Sequence, residues 1–262
     1  MPLNLKHLAA TTAVLAASAA SAQNITVTIE NLQPADGFSL TPVWVGVHNG
    51  TFTNFENGAS ADGYAGLEAI AELGDTTTRS GAFNTIATSG VDATFASGTG
   101  APVFEPGESQ TFTLDVVNGS VNRFFSFAAM VVPSNDLFVG NPGLGAELFD
   151  AGGNFNGAMT FDLFGTSVWD AGTEVNDIAS GPAFVVGQDA TAGTTEGGVI
   201  QPLFNDANAG AYLDSILGTQ TPVNTISSRF GEATPLYRIT VTPEPATLGL
   251  LGLFGLALVR RR

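Results

Sequence analysis

Two short segments place carboxylates where the chain must turn. Pro133-Ser134-Asn135-Asp136-Leu137-Phe138-Val139-Gly140 follows an apolar run that ends at Val132. Trp169-Asp170-Ala171-Gly172-Thr173-Glu174-Val175-Asn176-Asp177 sets Asp170 and Glu174 four residues apart, with small residues between them. Calcium takes six to eight oxygens at about 2.3–2.6 Å from carboxylates, carbonyls and waters. A tight Asp-Ala-Gly-Thr-Glu loop can bring two carboxylates and a carbonyl to one point, and a facing loop carrying Asp136 would add a third carboxylate. The helix–loop–helix calcium pattern, with its alternating oxygen ligands and closing glutamate, is absent. Taken singly, Asp136 and Asp170 also read as turn residues that bond nearby backbone N–H groups. Asn176 and Asp177 read as outer ligands or solvated loop residues, and Asp206-Ala207-Asn208 as an oxygen-rich loop.

Catalytic chemistry finds less support, and no catalytic residue is assigned. The two histidines are His7 and His48, and no Gly-x-Ser-x-Gly turn presents a serine to either. His48 closes an apolar segment and reads as a residue that packs or bonds locally. The absence of cysteine removes thiol catalysis, zinc–thiolate sites and iron–sulfur clusters. The glycines from Gly140 to Gly145 do not form a phosphate loop, because no following Lys-Ser/Thr opens a helix. A secreted hydrolase would need an exposed acid pair or His48 in a cleft.

The elements that must position these loops are short and mostly extended. Ile25 to Glu30 and Thr111 to Val116 alternate polar and apolar residues, the period of a half-buried strand. Val43 to Val47 and Phe125 to Val132 are continuous apolar runs, expected for strands covered on both sides. Met159 to Phe164 and Leu236 to Val241 complete the set. Short helices are predicted over Gly66 to Leu73, closed by Gly74, and over Ala209 to Leu217. The 32 glycines and many Thr, Asn, Asp and Ser residues supply the turns. The prediction is an all-β fold, an antiparallel β-sandwich with one or two short helices, in a single domain over residues 23–241.

Both ends carry export signals. Residues 1–22 have the zones of a signal peptide: Lys6, an apolar run from Leu8 to Ala17, and the small-x-small site Ala20-Ser21-Ala22. At the other end, over residues 242–262, Pro243-Glu244-Pro245 precedes an apolar stretch from Ala246 to Val259 and then Arg260-Arg261-Arg262. As a helix that stretch would rise only about 21 Å, so it would cross a bilayer under mismatch, held by the arginines. The order of prolines, apolar segment and basic tail resembles the PEP-CTERM sorting signal of Gram-negative bacteria. That resemblance implies recognition by an exosortase, cleavage near Pro-Glu-Pro, and only a transient membrane anchor. Loss of Lys6 and the terminal arginines would leave four arginines against all 24 acidic residues. A surface so acidic repels nucleic acid and attracts divalent cations.

With these features in place, the SNDLFVG and WDAGTEVND segments resemble the motifs of the spondin N-terminal domain family. The stretch from Leu40 to His48, followed by Gly66 to Glu72, looks like its bacterial branch, and the resemblance covers about Ile25 to Val241. It implies a β-sandwich with a calcium ion in loops at one end, held here by Asp136, Asp170 and Glu174. This chain departs from the animal pattern in lacking disulfides, in having Glu174 where aspartate is usual, and in having Leu137 where tryptophan is usual. The reading is an exported, non-enzymatic calcium-binding module of the cell surface or extracellular matrix, engaged in adhesion or matrix contacts with extracellular polysaccharide as a partner. The rival is a calcium-dependent, lectin-like carbohydrate binder, which an exposed aromatic platform of Phe138 or Trp169 would favour.

Overall fold

The computed structural model describes residues 23–98 and 100–244, so the signal-peptide zones and the apolar segment with its arginine tail lie outside the described residues. Alternation builds the smaller sheet. In β1 (Gln23–Asn31), Ile25, Val27 and Ile29 are fully buried, while Thr26 and Thr28 face outward. Its neighbours are β5 (Ser109–Val116) on one side and β12 (Pro235–Pro243) on the other, and β12 is flanked in turn by β9 (Met159–Phe164). Every pairing is antiparallel, and Val27 lies opposite both Val241 and Phe112. The first and last described strands are therefore neighbours, which fastens the two ends of the domain together.

The larger sheet has eight strands. Its path runs β11 (Gln201–Pro202), β10 (Val168–Asp170), β7 (Leu137–Gly140), β6 (Phe124–Val132), β3 (Val43–His48) and β4 (Val91–Phe95). The two-residue strands β2 (Ser39–Leu40) and β8 (Ala146–Glu147) also pair with β6. The continuous apolar runs of β3 and β6 have a simple cause: both of their faces are covered. Phe125, Phe127, Ala129 and Val131 join the main core between the sheets. On the opposite face, Trp44 and Ala128 pack with Phe52, Ile70 and Phe83. Burying side chains of this size stabilises by about 1.5–3 kcal/mol each.

The domain has one helix more than predicted; two of its α-helices cover this outer face, and the last packs into the main core. Helix α1 (Leu67–Leu73) matches the expectation and ends on Gly74, which is left-handed at φ 66°. Helix α3 (Ala209–Ile216) likewise lies where predicted, with Tyr212, Leu213 and Ile216 buried. The missed helix is α2 (Thr77–Ile86), with sequence TTRSGAFNTI. Threonine, serine, glycine and asparagine are poor helix formers, so propensity argues against it. Packing overrides propensity: Arg79 and Phe83, one turn apart, are both buried, and Phe83 meets the Trp44 ring at 5.4 Å. The result is a β-sandwich with a helical layer on its larger sheet. Among the described residues, no helix is long and apolar enough to cross a membrane.

Candidate metal centre

The two carboxylate loops meet because their strands are neighbours. Strand β6 ends at Val132, and Ser134 closes the corner. The Ser134 hydroxyl donates to the Val131 carbonyl at 2.6 Å and accepts from the Leu137 N–H at 3.2 Å. That corner delivers Asp136 immediately before β7. Strand β10 pairs with β7, with Asp170 opposite Leu137, and the Ala171 N–H donates to the Asp136 carbonyl at 3.3 Å. Gly172 then turns the chain with φ 67°, and a Cβ there would lie 2.6 Å from the Val199 backbone nitrogen. Only glycine suits that left-handed position and close approach.

Asp136 and Asp170 are buried, at 0% and 2% exposure. One Asp136 oxygen, Oδ2, accepts from the N–H groups of Thr173 and Glu174, at 2.8 and 3.1 Å, and from the Thr173 hydroxyl at 3.2 Å. The other, Oδ1, is buried without any hydrogen-bond partner. Asp170 accepts from the Gly172 N–H at 2.8 Å and from the Asn176 amide at 2.7 Å. The Asn176 amide oxygen is in turn buried and unpartnered. Burial, and then the Asp170 charge, push the Asp136 carboxyl well above the usual carboxylate range. Burial also raises Asp170, and the Asp206 charge adds to the effect.

Glu174 lies beside this pair but turns its side chain elsewhere. Its carboxylate accepts from the Asn135 amide at 3.4 Å, and burial followed by the Glu68 charge raises its pKa. Further carboxylates that sequence reasoning left aside surround the site. Glu72 is pushed up to about 7, first by burial and then by the charges of Glu174 and Glu68, against a bond to Thr173. Glu196 is raised by burial and by the charges of Asp170 and Asp206. The signal for the helix residues was available: Glu68 and Glu72 stand four apart on α1, where like charges repel. Asp206, which reads as an ordinary loop residue in the sequence, approaches Asp170, and with Asn176 and Tyr212 it lines a cavity of about 330 Å³.

Asn135 holds the corner in place. Its backbone N–H donates to the Tyr212 hydroxyl at 2.9 Å, and that hydroxyl donates back to the Asn135 side-chain oxygen at 2.9 Å. The same oxygen accepts from the Asp177 N–H at 3.1 Å, while the amide donates to the Ser180 carbonyl at 2.9 Å. One side chain thus fastens β7, the loop after Glu174 and α3 to one another.

His48 lies apart from this centre, fully buried, with its ring against Phe52, Phe83 and Phe124. Its Nδ1 accepts from the Gly50 N–H at 3.1 Å, so Nε2 carries the proton and donates to the Ser126 hydroxyl at 3.0 Å. Burial pulls this imidazole down to about 4 from 6.5. The unfolded chain therefore binds the proton that the folded chain refuses. This contribution to stability is complete above pH 6.5 and is lost as pH falls towards 4, amounting to about 3 kcal/mol. His48→Phe is expected to remove that component, read as a stability that falls less steeply than that of wild type between pH 7 and 4 in urea titrations. An unchanged slope would mean that His48 is not held neutral.

Comparison with known families accounts for most of the chain. The Spondin_N family model matches residues 33–213, which include Asp136, Asp170 and Glu174. A PEP-CTERM protein-sorting motif matches residues 241–262 and marks an exported protein processed by an exosortase. A comparison with curated proteins found no match. The match across residues 33–213 covers more than half of the sequence, and the chain belongs to the Spondin_N family.

Proposed function

We propose that this protein is a calcium-stapled module of the cell surface or extracellular matrix of a Gram-negative bacterium, mediating adhesion or matrix contacts with extracellular polysaccharide. The observation that carries the calcium reading is the pair of buried, unpartnered oxygens, Asp136 Oδ1 and Asn176 Oδ1, beside a second buried carboxylate, Asp170. An unpaired buried acceptor costs about 1–3 kcal/mol, and a cation is the group that satisfies several at once. Asp136 and Asp170 would supply carboxylates and Asn176 an amide oxygen, and Glu174 would join them by turning its carboxylate from Asn135 towards the pair. Among the described residues, no three acidic or histidine side chains converge closely enough to hold an ion alone. An amide oxygen beside two carboxylates suits calcium, with its flexible oxygen coordination, better than the strict octahedron of magnesium. When bound, the ion supplies positive charge and cross-links the two loops.

The aromatic residues beside the loops favour a structural ion over direct ligand capture. Phe138 is fully buried, and the half-buried Trp169 stands edge-on to Phe55 at 5.1 Å. Neither forms an open stacking platform of the kind a lectin-like site would use. The test is calorimetric titration of the exported chain with calcium, beside Asp170→Ala. Wild type is expected to bind in the range of about 0.1–1 mM typical of extracellular calcium modules, and the variant at least tenfold more weakly. Equal binding by the two proteins, or none by wild type, would overturn the assignment.

A further inference from the structure

The four arginines of the described residues divide unequally. Arg123, Arg229 and Arg238 are each paired with a carboxylate, from Glu147, Asp214 and Asp162 respectively. Arg79 is 1% exposed and has no acidic partner. Its guanidinium donates to the carbonyls of Ala65 and Asn54 and to the Asn54 side-chain oxygen, and it lies 4.6 Å from the centre of the Phe52 ring and 5.4 Å from that of Trp44. The Nε–H is left without a partner.

Carbonyls and aromatic faces hold a cation in place but do not cancel its charge. Burial alone pulls this guanidinium down to about 10, with no neighbouring carboxylate opposing the shift. A cavity of about 220 Å³ has Arg79 in its wall beside Thr51, Phe52, Thr53, Tyr64 and Ala82. The surroundings make the imbalance more informative. The chain carries a formal charge of −16, so a buried cation without an acidic partner is not explained by a shortage of carboxylates.

We propose that this pocket binds a small organic carboxylate, whose single negative charge balances Arg79. The guanidinium is a strong carboxylate partner, and the hydroxyl groups of Thr53 and Tyr64 suit the remaining lone pairs of a carboxylate or of an attached sugar. A monoanion matches one guanidinium, whereas a dianion such as phosphate would bring an excess charge into the field of a strongly acidic protein. The carboxylate can come from a free small acid or from a uronic-acid unit of a polysaccharide.

The experiment follows the Arg79 Nε–H resonance of the ¹⁵N-labelled exported chain during titration with sodium acetate, with a galacturonate trisaccharide, and with sodium chloride as an ionic-strength control. A saturable shift with acetate, absent with chloride, is the expected result. Tighter saturation by the trisaccharide would identify a polysaccharide source, and saturation by acetate alone a free acid. In Ala82→Glu, a carboxylate is placed one turn along α2 on the same wall. Its Arg79 resonance is expected to be shifted before any ligand is added, with acetate affinity reduced at least tenfold. A wild-type resonance that stays unmoved, or follows chloride and acetate alike, overturns the proposal. So does an Ala82→Glu variant that binds acetate as wild type does. The wild-type titration decides the matter even where the variant fails to fold.

Discussion

In chelator, Asp136→Asn is expected to melt at least as high as the wild type, and calcium is expected to raise the wild type alone. The reasoning rests on the unequal use of the two Asp136 oxygens. Oδ2 accepts three hydrogen bonds from Thr173 and Glu174, and the asparagine amide oxygen can accept the same three. Oδ1 accepts none, so an amide nitrogen in its place exchanges one unpartnered buried atom for another and loses no bond within the protein. The exchange also removes one of two buried charges that repel each other, those of Asp136 and Asp170. Without an ion, therefore, asparagine relieves strain that the aspartate endures.

Calcium reverses the order. Binding to the native state alone stabilises by about 2.7 kcal/mol at a hundredfold excess over Kd. For a domain of this size, that corresponds to a rise in Tm of about 5–10 °C. Asp136→Asn removes one carboxylate ligand and the charge that attracts the ion, so its melting temperature should hardly respond. Scanning calorimetry of both proteins in calcium and in chelator makes the comparison. An equal rise in the variant would place the ion away from Asp136. A variant that melts several degrees lower in chelator would show that the carboxylate charge serves the loop rather than an ion.

Much of the framework could be read in the sequence because local pattern and tertiary position agree there. Ile25, Val27 and Ile29 alternate with threonines because one face of β1 meets the core and the other meets solvent. Phe125 to Val132 reads as an unbroken apolar run because helices cover the second face of β6. Helix α2 could not be read, because its helicity comes from burying Arg79 and Phe83 rather than from its Thr- and Gly-rich sequence. At the candidate centre, Asp136 and Asp170 stood out because both sit at turns beside strands. The side-chain direction of Glu174 did not, because it depends on Asn135, a partner 39 positions away. Asn176 reads as an outer ligand or a solvated loop residue, and its buried, unpartnered oxygen emerges only when the two loops are brought together. Arg79 looks like any surface cation until the fold encloses it.

The same dependence on distant partners makes Asn135→Ala the most damaging small substitution expected near the centre. The alanine abolishes the side-chain bonds to Ser180, Asp177 and Tyr212, leaving the buried Tyr212 hydroxyl without its acceptor and the part-buried Asp177 N–H and Ser180 carbonyl without these partners. Each such group costs about 1–3 kcal/mol, so a loss of about 3–5 kcal/mol is expected in urea denaturation. Tyr212→Phe removes one hydroxyl and strands the Asn135 N–H and one acceptor position, a loss of about 1–2 kcal/mol. The double variant tests whether these groups act as one network. Once Asn135 is gone, the Tyr212 hydroxyl has lost its acceptor, so its removal should cost less than it does in the wild type. A coupling of about 1 kcal/mol is expected from residues in direct contact. Strict additivity would separate the tyrosine from the corner, and an Asn135→Ala loss below about 1 kcal/mol would mean that the loops are held by their backbone bonds alone. Because Asn135 also fastens the corner that carries Asp136 to the loop after Glu174, its alanine variant should bind calcium more weakly than wild type while keeping both aspartates.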